Sequence, residues 1–233
     1  WEFWHFTSCP GYMLNSGLGV FLMPVCAAGL LWKGRKLFTV INGMFGSQNG
    51  SIMLLITIML CGLISMDIMT APSISLEGKS LWIAQSLPVT PWQVLRAKLD
   101  MQLILNGIPV MFCMICMSVV CPFKIGQFVM MILQVLSFMF VMAVFGLFMG
   151  VIKPVLTWTN ELTPIKQSAS VMITMFGGFG YTALLFIGYM VLPGYTLGYM
   201  LYIGIFIVAN VVLGLTLYIW LITKCCDLCL IHI

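Results

Sequence analysis

Long apolar stretches alternate with short polar connections along this chain, and six of the apolar stretches are long enough to cross a bilayer. A spanning helix needs about 20 consecutive apolar residues, because each residue rises about 1.5 Å through hydrocarbon about 30 Å thick. The windows that meet this length are 11–32, 50–71, 99–121, 126–150, 169–192 and 196–222. They are apolar on every face, whereas the strands of a membrane barrel alternate polar and apolar residues, so helices are favoured. The pattern predicts an all-α membrane protein: a six-span transmembrane helical bundle that forms a single domain over residues 1–233.

The composition excludes an ordinary soluble domain. Hydrophobic residues make up 62% of the 233 residues and charged residues only 7%, whereas a typical soluble domain carries about 25% charged residues. A water-soluble core cannot absorb so much apolar surface.

The polar connection at 72–98, between the second and third windows, has the clearest helix signals in the chain. Ser73 or Ser75 is expected to cap a short helix with Glu77 in its first turn, where a carboxylate faces the positive end of the helix dipole. This helix should stop at Leu87, because Pro88 disfavours the helical conformation of the residue before it.

A second helix is predicted to start directly after this elbow and to run on into the third span. Thr90 is the expected N-cap, Pro91 takes the first helical position, and Gln93 completes a capping box. The connection is therefore predicted to be a helix–elbow–helix segment at the membrane surface. From composition alone, an amphipathic segment that lies in the interface without a partner is an open alternative.

Two motifs in polar segments resemble those of bacterial type 2 ABC exporter permeases. The first is SISLEGKSLWIAQSLPV at 73–89; the second is WTNE at 158–161, followed by IKQSASV at 165–171. With six spans and a long segment between the second and third, the likeness covers nearly the whole chain. The part of the family that this chain resembles is the C-terminal six-span half of a longer permease.

The resemblance implies that 72–98 is a coupling segment, which docks on a separate cytoplasmic ABC ATPase subunit. The residues it makes candidates for that contact are Glu77, Gly78, Lys79, Trp82, Leu87 and Pro88. The second motif implies a further cytoplasmic surface, formed by Trp158, Asn160, Glu161, Lys166 and Gln167; a solvated loop with an interfacial Trp is the simpler alternative there. The family also implies location in the cell membrane and a second six-span unit, either a homodimer partner or an upstream half.

The basic residues only weakly favour the orientation that this family implies. With 72–98 in the cytoplasm, the inner side holds Lys79, Arg96, Lys98, Lys153, Lys166 and Lys224. The outer side then holds Lys33, Arg35, Lys36 and Lys124, so the positive-inside bias is slim.

The chain shows no motif for chemistry of its own. Gly78-Lys79-Ser80 is not a phosphate-binding loop, because position 73 is Ser and the preceding segment is a membrane helix rather than a strand. We therefore expect no cofactor on this chain, with ATP bound by the partner, and no nucleic-acid binding. The C-C-x-x-C-x-x-H cluster at 225–232 is expected to stay without metal, because a frayed tail presents ligands poorly.

Few polar side chains fall inside the predicted spans. Asp67 and Asp100 lie near the ends of adjacent spans, but no G-x-G-D signature supports an intramembrane aspartyl protease, so no catalytic residue is assigned. Asn106 and Asn210 are expected to bond either across helices or to their own backbone. Gly146 and Gly150 form a G-x-x-x-G pair that allows a neighbouring helix to approach closely.

The sequence thus favours the permease subunit of an ATP-driven exporter. The alternatives are an ATP-independent secondary carrier or channel-like protein, and an accessory protein that does not transport.

Overall fold

The computed structural model describes residues 12–14, 17–45, 51–76, 90–120, 124–155, 168–191 and 198–231, and this part of the chain is all-helical. Its helices are α1 (Leu18–Phe45), α2 (Ser51–Met66), α3 (Thr70–Leu76), α4 (Pro91–Val120), α5 (Ile125–Ile152), α6 (Ala169–Val191) and α7 (Tyr199–Ile231). The predicted all-α class is confirmed for the described residues.

Helix α5 is the centre of the bundle and contacts α2, α3, α4, α6 and α7. Its side chains are mostly apolar all round the helix, so it can bury a surface toward each neighbour. Met131, Phe138 and Met142 belong to one buried cluster, and Leu147 and Val151 to a second cluster farther along α5.

Five helical stretches in the described part are long and apolar enough to cross a membrane, as expected of a multi-pass membrane protein. They are Ile52–Leu76, Pro91–Val120, Ile125–Ile152, Ala169–Val191 and Tyr199–Lys224. The first predicted window, 11–32, overlaps α1, whose apolar part Leu18–Gly34 is shorter than a spanning helix. The sixth span therefore stays a prediction.

The boundary predicted between the second span and the polar connection is wrong by about one turn. Residues 72–76 are not a surface segment capped at Ser73 or Ser75: they belong to α3, which begins at Thr70 and is buried. Helix α3 packs against α5. Since Ser73 and Ser75 are buried against the bundle, their hydroxyls bond to neighbouring backbone instead of starting a helix at the surface.

The start of α4 follows the prediction. The Thr90 N–H donates to Gln93 Oε1 at 2.9 Å, and the Gln93 N–H donates to Thr90 Oγ1 at 3.4 Å. This capping box opens a helix that continues without interruption into the third span and ends at Val120. The apolar stripe of its first turns, Leu95 and Leu99, is buried against α5 and α7.

The glycine pair on α5 is a close-packing surface, as its spacing predicted. A Cβ on Gly150 would lie 2.7 Å from the backbone oxygen of Ala71, and one on Gly146 would collide with Thr70 Oγ1. Both partners are in the first turn of α3, and the Thr70 hydroxyl donates to the Ala143 carbonyl at 3.0 Å. The glycines thus let the short helix α3 lie directly on the central helix.

Candidate functional site at the broken helix

The second apolar span is interrupted at residues 67–69, between α2 and α3. Pro72 contributes to this break, because its ring would clash with the Ile68 carbonyl in a continuous helix and it has no N–H to donate to that carbonyl. Proline alone does not account for the break, since Pro24 and Pro109 lie inside the uninterrupted helices α1 and α4. Proline is tolerated in the first turn of a helix, and Pro72 occupies the first turn of α3. Asp67 lies inside the stretch Ile52–Leu76 that is long and apolar enough to cross a membrane, nine residues before its end.

Gln102 of α4 bridges the two sides of the break with its side-chain amide. Its Nε2 donates to the Asp67 carbonyl at 3.0 Å, and its Oε1 accepts from the Thr70 N–H at 2.8 Å. The Tyr12 hydroxyl donates to the Met69 carbonyl at 2.7 Å. Backbone groups exposed by a break in a membrane helix must find such partners, because hydrocarbon offers none.

The Asp67 carboxyl caps a different helix from the one that it follows. Its Oδ1 accepts from the Val20 N–H, in the first turn of α1, at 3.0 Å. Gly19 makes this approach possible, because a Cβ there would lie 2.6 Å from both carboxyl oxygens. A carboxylate at this position gains from the helix dipole. The break in one span and the start of α1 are therefore held together by one side chain.

The environment of Asp67 makes the ionised form of its carboxyl energetically unfavourable. The residue is 0% exposed, and its Oδ2 has no hydrogen-bond partner among the described residues. A charge near the middle of a bilayer costs about 2.5–3.5 kcal/mol on insertion scales, whereas a carboxylate at a helix N-terminus gains about 0.3–2 kcal/mol. The cap therefore offsets only part of this cost, and an ionisable group held under such conditions is a candidate functional residue.

Asn106 lies one turn beyond Gln102 on the same face of α4. Its amide is fully buried, and neither its nitrogen nor its oxygen has a partner in the described part of the chain. Neither predicted role, a bond across helices or to its own backbone, is observed. The face of α4 that holds the break thus retains unmet hydrogen-bonding capacity.

A second buried polar group connects α5, α6 and α7, and all its members are paired. Gln134 Nε2 donates to the Tyr181 hydroxyl at 2.8 Å, while Asn210 Nδ2 contacts Gln134 Oε1 at 3.5 Å and Ser137 Oγ at 3.3 Å. The cross-helix role predicted for Asn210 is confirmed. Because these groups satisfy each other, this cluster holds the bundle together rather than forming an open site.

The described residues that precede the two motif segments lie close together. The Val155 N–H donates to Ser75 Oγ at 3.0 Å, which joins the residue before 156–167 to the residue two positions before 77–89. The predicted contact residues Glu77, Gly78, Lys79, Trp82, Leu87 and Pro88, and the second set, Trp158, Asn160, Glu161, Lys166 and Gln167, lie outside the described residues. Both sets stay predictions.

The sequence pattern does not single out the residues that hold the break together. It places Asp67 near a span end, where the only chemistry tested is proteolysis, and it indicates no role for Gln102 or Tyr12. The available signal was Pro72, placed so that it interrupts a helix within an apolar run.

Metal-binding capacity is limited in the described residues, which contain no group of three or more His, Cys, Asp or Glu placed to hold an ion. The tail that we expected to be frayed is helical, since α7 extends to Ile231.

Asp100, the other acid near a span end, is exposed and pairs with Arg96 at 3.7 Å. The structure therefore does not bring Asp67 and Asp100 together as a buried carboxyl pair, which an aspartyl protease requires.

Comparison with protein-family models, with curated proteins and with solved structures found no significant match.

Proposed function

We propose that this protein is the permease subunit of an ATP-driven exporter of the bacterial type 2 ABC class, and that it works in the cell membrane with a separate ATPase subunit. The motifs in 73–89 and 158–171 suggest the class. The observation that carries the proposal is the hydrogen bond between Val155 and Ser75, because segments 77–89 and 156–167, whose preceding residues lie together, can form one docking surface.

Segment 77–89 is well connected for the transmission of force. It follows α3, which is buried against α5, and precedes α4, which starts at a capping box and is continuous to Val120. If the ATPase displaces this segment, α4 would move as one rigid helix. The helix α3, which lies next to the break, would move with the other end of the segment. In this proposal, two ATPase subunits close on each other and thereby move both helices. The movement switches a cavity, which lies between two six-span units, from access on one side of the membrane to access on the other.

The proposal requires that a cognate ABC ATPase subunit exists in the same organism, and the test uses the full chain, co-expressed with that subunit and reconstituted in lipid nanodiscs. We expect the complex to hydrolyse ATP, and the double variant Trp82→Ala, Pro88→Ala to lose binding of the ATPase or stimulation of its activity. A matched control is Trp32→Ala: this Trp is 87% exposed in the middle of α1, close to Gly34, which faces Val120 at the end of α4.

The proposal is wrong if the purified chain forms no complex with that ATPase. It is also wrong if the double variant binds and stimulates the ATPase as the unaltered chain does. A loss that is equal in Trp32→Ala would indicate damage to the bundle and would also count against a specific docking role.

A carrier driven by an ion gradient is the second candidate, and the broken helix favours it. Secondary transporters place discontinuous helices and ionisable groups at their binding sites, and the break at 67–69 carries a buried carboxyl. In vesicles of phosphatidylethanolamine and phosphatidylglycerol, the purified chain alone should then dissipate an imposed pH gradient, followed with an internal pH-sensitive dye. A proton flux no faster than that of protein-free vesicles would count against proton conduction by this chain alone.

A further inference from the structure

The two oxygens of the Asp67 carboxyl have different surroundings, and this asymmetry is informative. Oδ1 accepts from the Val20 N–H at 3.0 Å and the Gly19 N–H also lies close to the carboxyl, whereas Oδ2 is buried and makes no hydrogen bond of good geometry in the described structure. A carboxylate accepts hydrogen bonds through both oxygens, while a protonated carboxyl needs only one acceptor oxygen and presents a hydroxyl at the other. The unpaired oxygen is therefore where a ligand of Asp67 would bind.

The oxygen atoms around the break suit a proton better than a metal cation. Sites for hard cations such as Ca²⁺ and Mg²⁺ use about six or more oxygen ligands. The Asp67 and Met69 carbonyls already accept from Gln102 and Tyr12, and Gln102 Oε1 accepts from the Thr70 N–H.

Few charged groups surround this carboxyl. The first two turns of α1, all of α3 and all of α5 carry no titratable side chain. The other elements packed against the break carry further titratable groups, of which Lys98 is a buried cation on α4 and Arg96 and Asp100 form an exposed pair. The remaining ones are Tyr12, Cys61 of α2, Cys113 and Cys116 of α4, and Tyr181 and Tyr189 of α6. Of these, the Tyr12 hydroxyl donates to Met69 and the Tyr181 hydroxyl accepts from Gln134.

We propose that Asp67 is a proton-binding site inside the bundle, where Oδ2 takes up and releases a proton while Oδ1 keeps its bond to the Val20 N–H. The proton comes from water and returns to it, so that Oδ2–H is the one covalent bond that forms and breaks. Since the carboxyl joins α1 to the break between α2 and α3, its change of charge acts directly on the contact between these helices. The site depends neither on the ATPase partner nor on transport.

The test is infrared difference spectroscopy of the purified full chain in phosphatidylcholine vesicles, between acidic and neutral pH, in H₂O and D₂O. We expect a protonated-carboxyl C=O band that titrates, shifts to lower frequency in D₂O and is lost in Asp67→Asn. Asp100→Asn is the matched control, because the Asp100 side chain is 56% exposed and pairs with Arg96; it should leave this band unchanged. Asp67→Glu should retain a band at a shifted frequency.

Three results would overturn the inference. One is a titrating band that survives in Asp67→Asn; another is a band removed by sodium chloride at constant pH, which would indicate a metal cation. If Asp67→Asn does not fold, Asp67→Glu decides, and an unshifted band with unchanged titration would assign the signal to another carboxyl. Failure of ATPase binding or of proton flux leaves this measurement unaffected, so the inference and the proposed functions can fail separately.

Discussion

The substitution Gln102→Met is the most direct test of how the membrane span tolerates its break. Methionine has nearly the same length and flexibility as glutamine but can neither donate to the Asp67 carbonyl nor accept from the Thr70 N–H. The change therefore removes the hydrogen bonds of 3.0 and 2.8 Å that join α2 and α3 across the break, while it keeps the volume of the side chain.

The expected cost follows from the two backbone groups that lose their partner. A buried polar group left unpaired costs about 1–3 kcal/mol. Hydrogen bonds in membrane proteins are worth less on average, about 0.6 and up to about 1.7 kcal/mol, because the unfolded chain in lipid also finds partners. For two such groups we expect the free energy of unfolding to fall by about 2 kcal/mol, within a range of about 1–4 kcal/mol.

The assay is reversible unfolding in mixed dodecylmaltoside and sodium dodecyl sulfate micelles, followed by tryptophan fluorescence. The control is Ile104→Met on the exposed side of the same helix, where 60% of the residue's surface is accessible; surface changes of this kind stay within about 0.5 kcal/mol. If Gln102→Met destabilises no more than this control, Gln102 does not stabilise the break and our account of it is refuted.

Three further substitutions test separate parts of the fold in the same unfolding assay or by amide exchange. Gly150→Ala places a Cβ 2.7 Å from the Ala71 backbone oxygen and should lower the free energy of unfolding by about 1–3 kcal/mol. Gly180→Ala, where a Cβ would meet no atom of another element within 4 Å, should lower it little. Equal effects would contradict the close contact of α3 with α5. Thr90→Ala should lower the free energy of unfolding by about 1 kcal/mol and speed hydrogen exchange of the first amides of α4. The control Thr223→Ala, in the exposed last turns of α7, should have neither effect. Unchanged amide exchange in Thr90→Ala would show that the capping box does not hold this helix end. Tyr181→Phe removes the acceptor of Gln134 Nε2 and should cost about 1 kcal/mol. The control Tyr218→Phe keeps the ring contacts with Trp92 and Phe140 and should leave the free energy of unfolding unchanged. If Tyr218→Phe destabilises the protein more than Tyr181→Phe does, the α5–α6–α7 cluster has no stabilising role.

Much of the local structure was predictable because it depends on neighbours in the sequence. The capping box at Thr90 and Gln93 and the continuous helix into the third span follow from short-range hydrogen bonds and apolar periodicity. The close contact at Gly146 and Gly150 followed from the absence of side chains at that spacing, although the sequence did not indicate that α3 would be the partner.

The candidate site was not predictable in the same way, because its parts are far apart in the chain. Gln102 is 32 residues from Thr70, and Val20 is 47 residues from Asp67. The sequence marked Asp67 only as an acid near a span end. Its role as a cap for α1 arises when packing brings Gly19 against it.

The amino-acid sequence by itself determined that this is a helical membrane protein and, within a few residues, where α4, α5 and α6 begin and end. These properties follow from transfer of apolar residues into lipid and from sterics within a few residues, as at Pro72 and Thr90. Only the tertiary structure decided that α5 is central, that a side-chain amide spans the break, and that a buried carboxyl has one oxygen unpaired. Those outcomes depend on which distant helices meet, and in a chain so uniformly apolar the hydrophobic pattern alone does not select the partners.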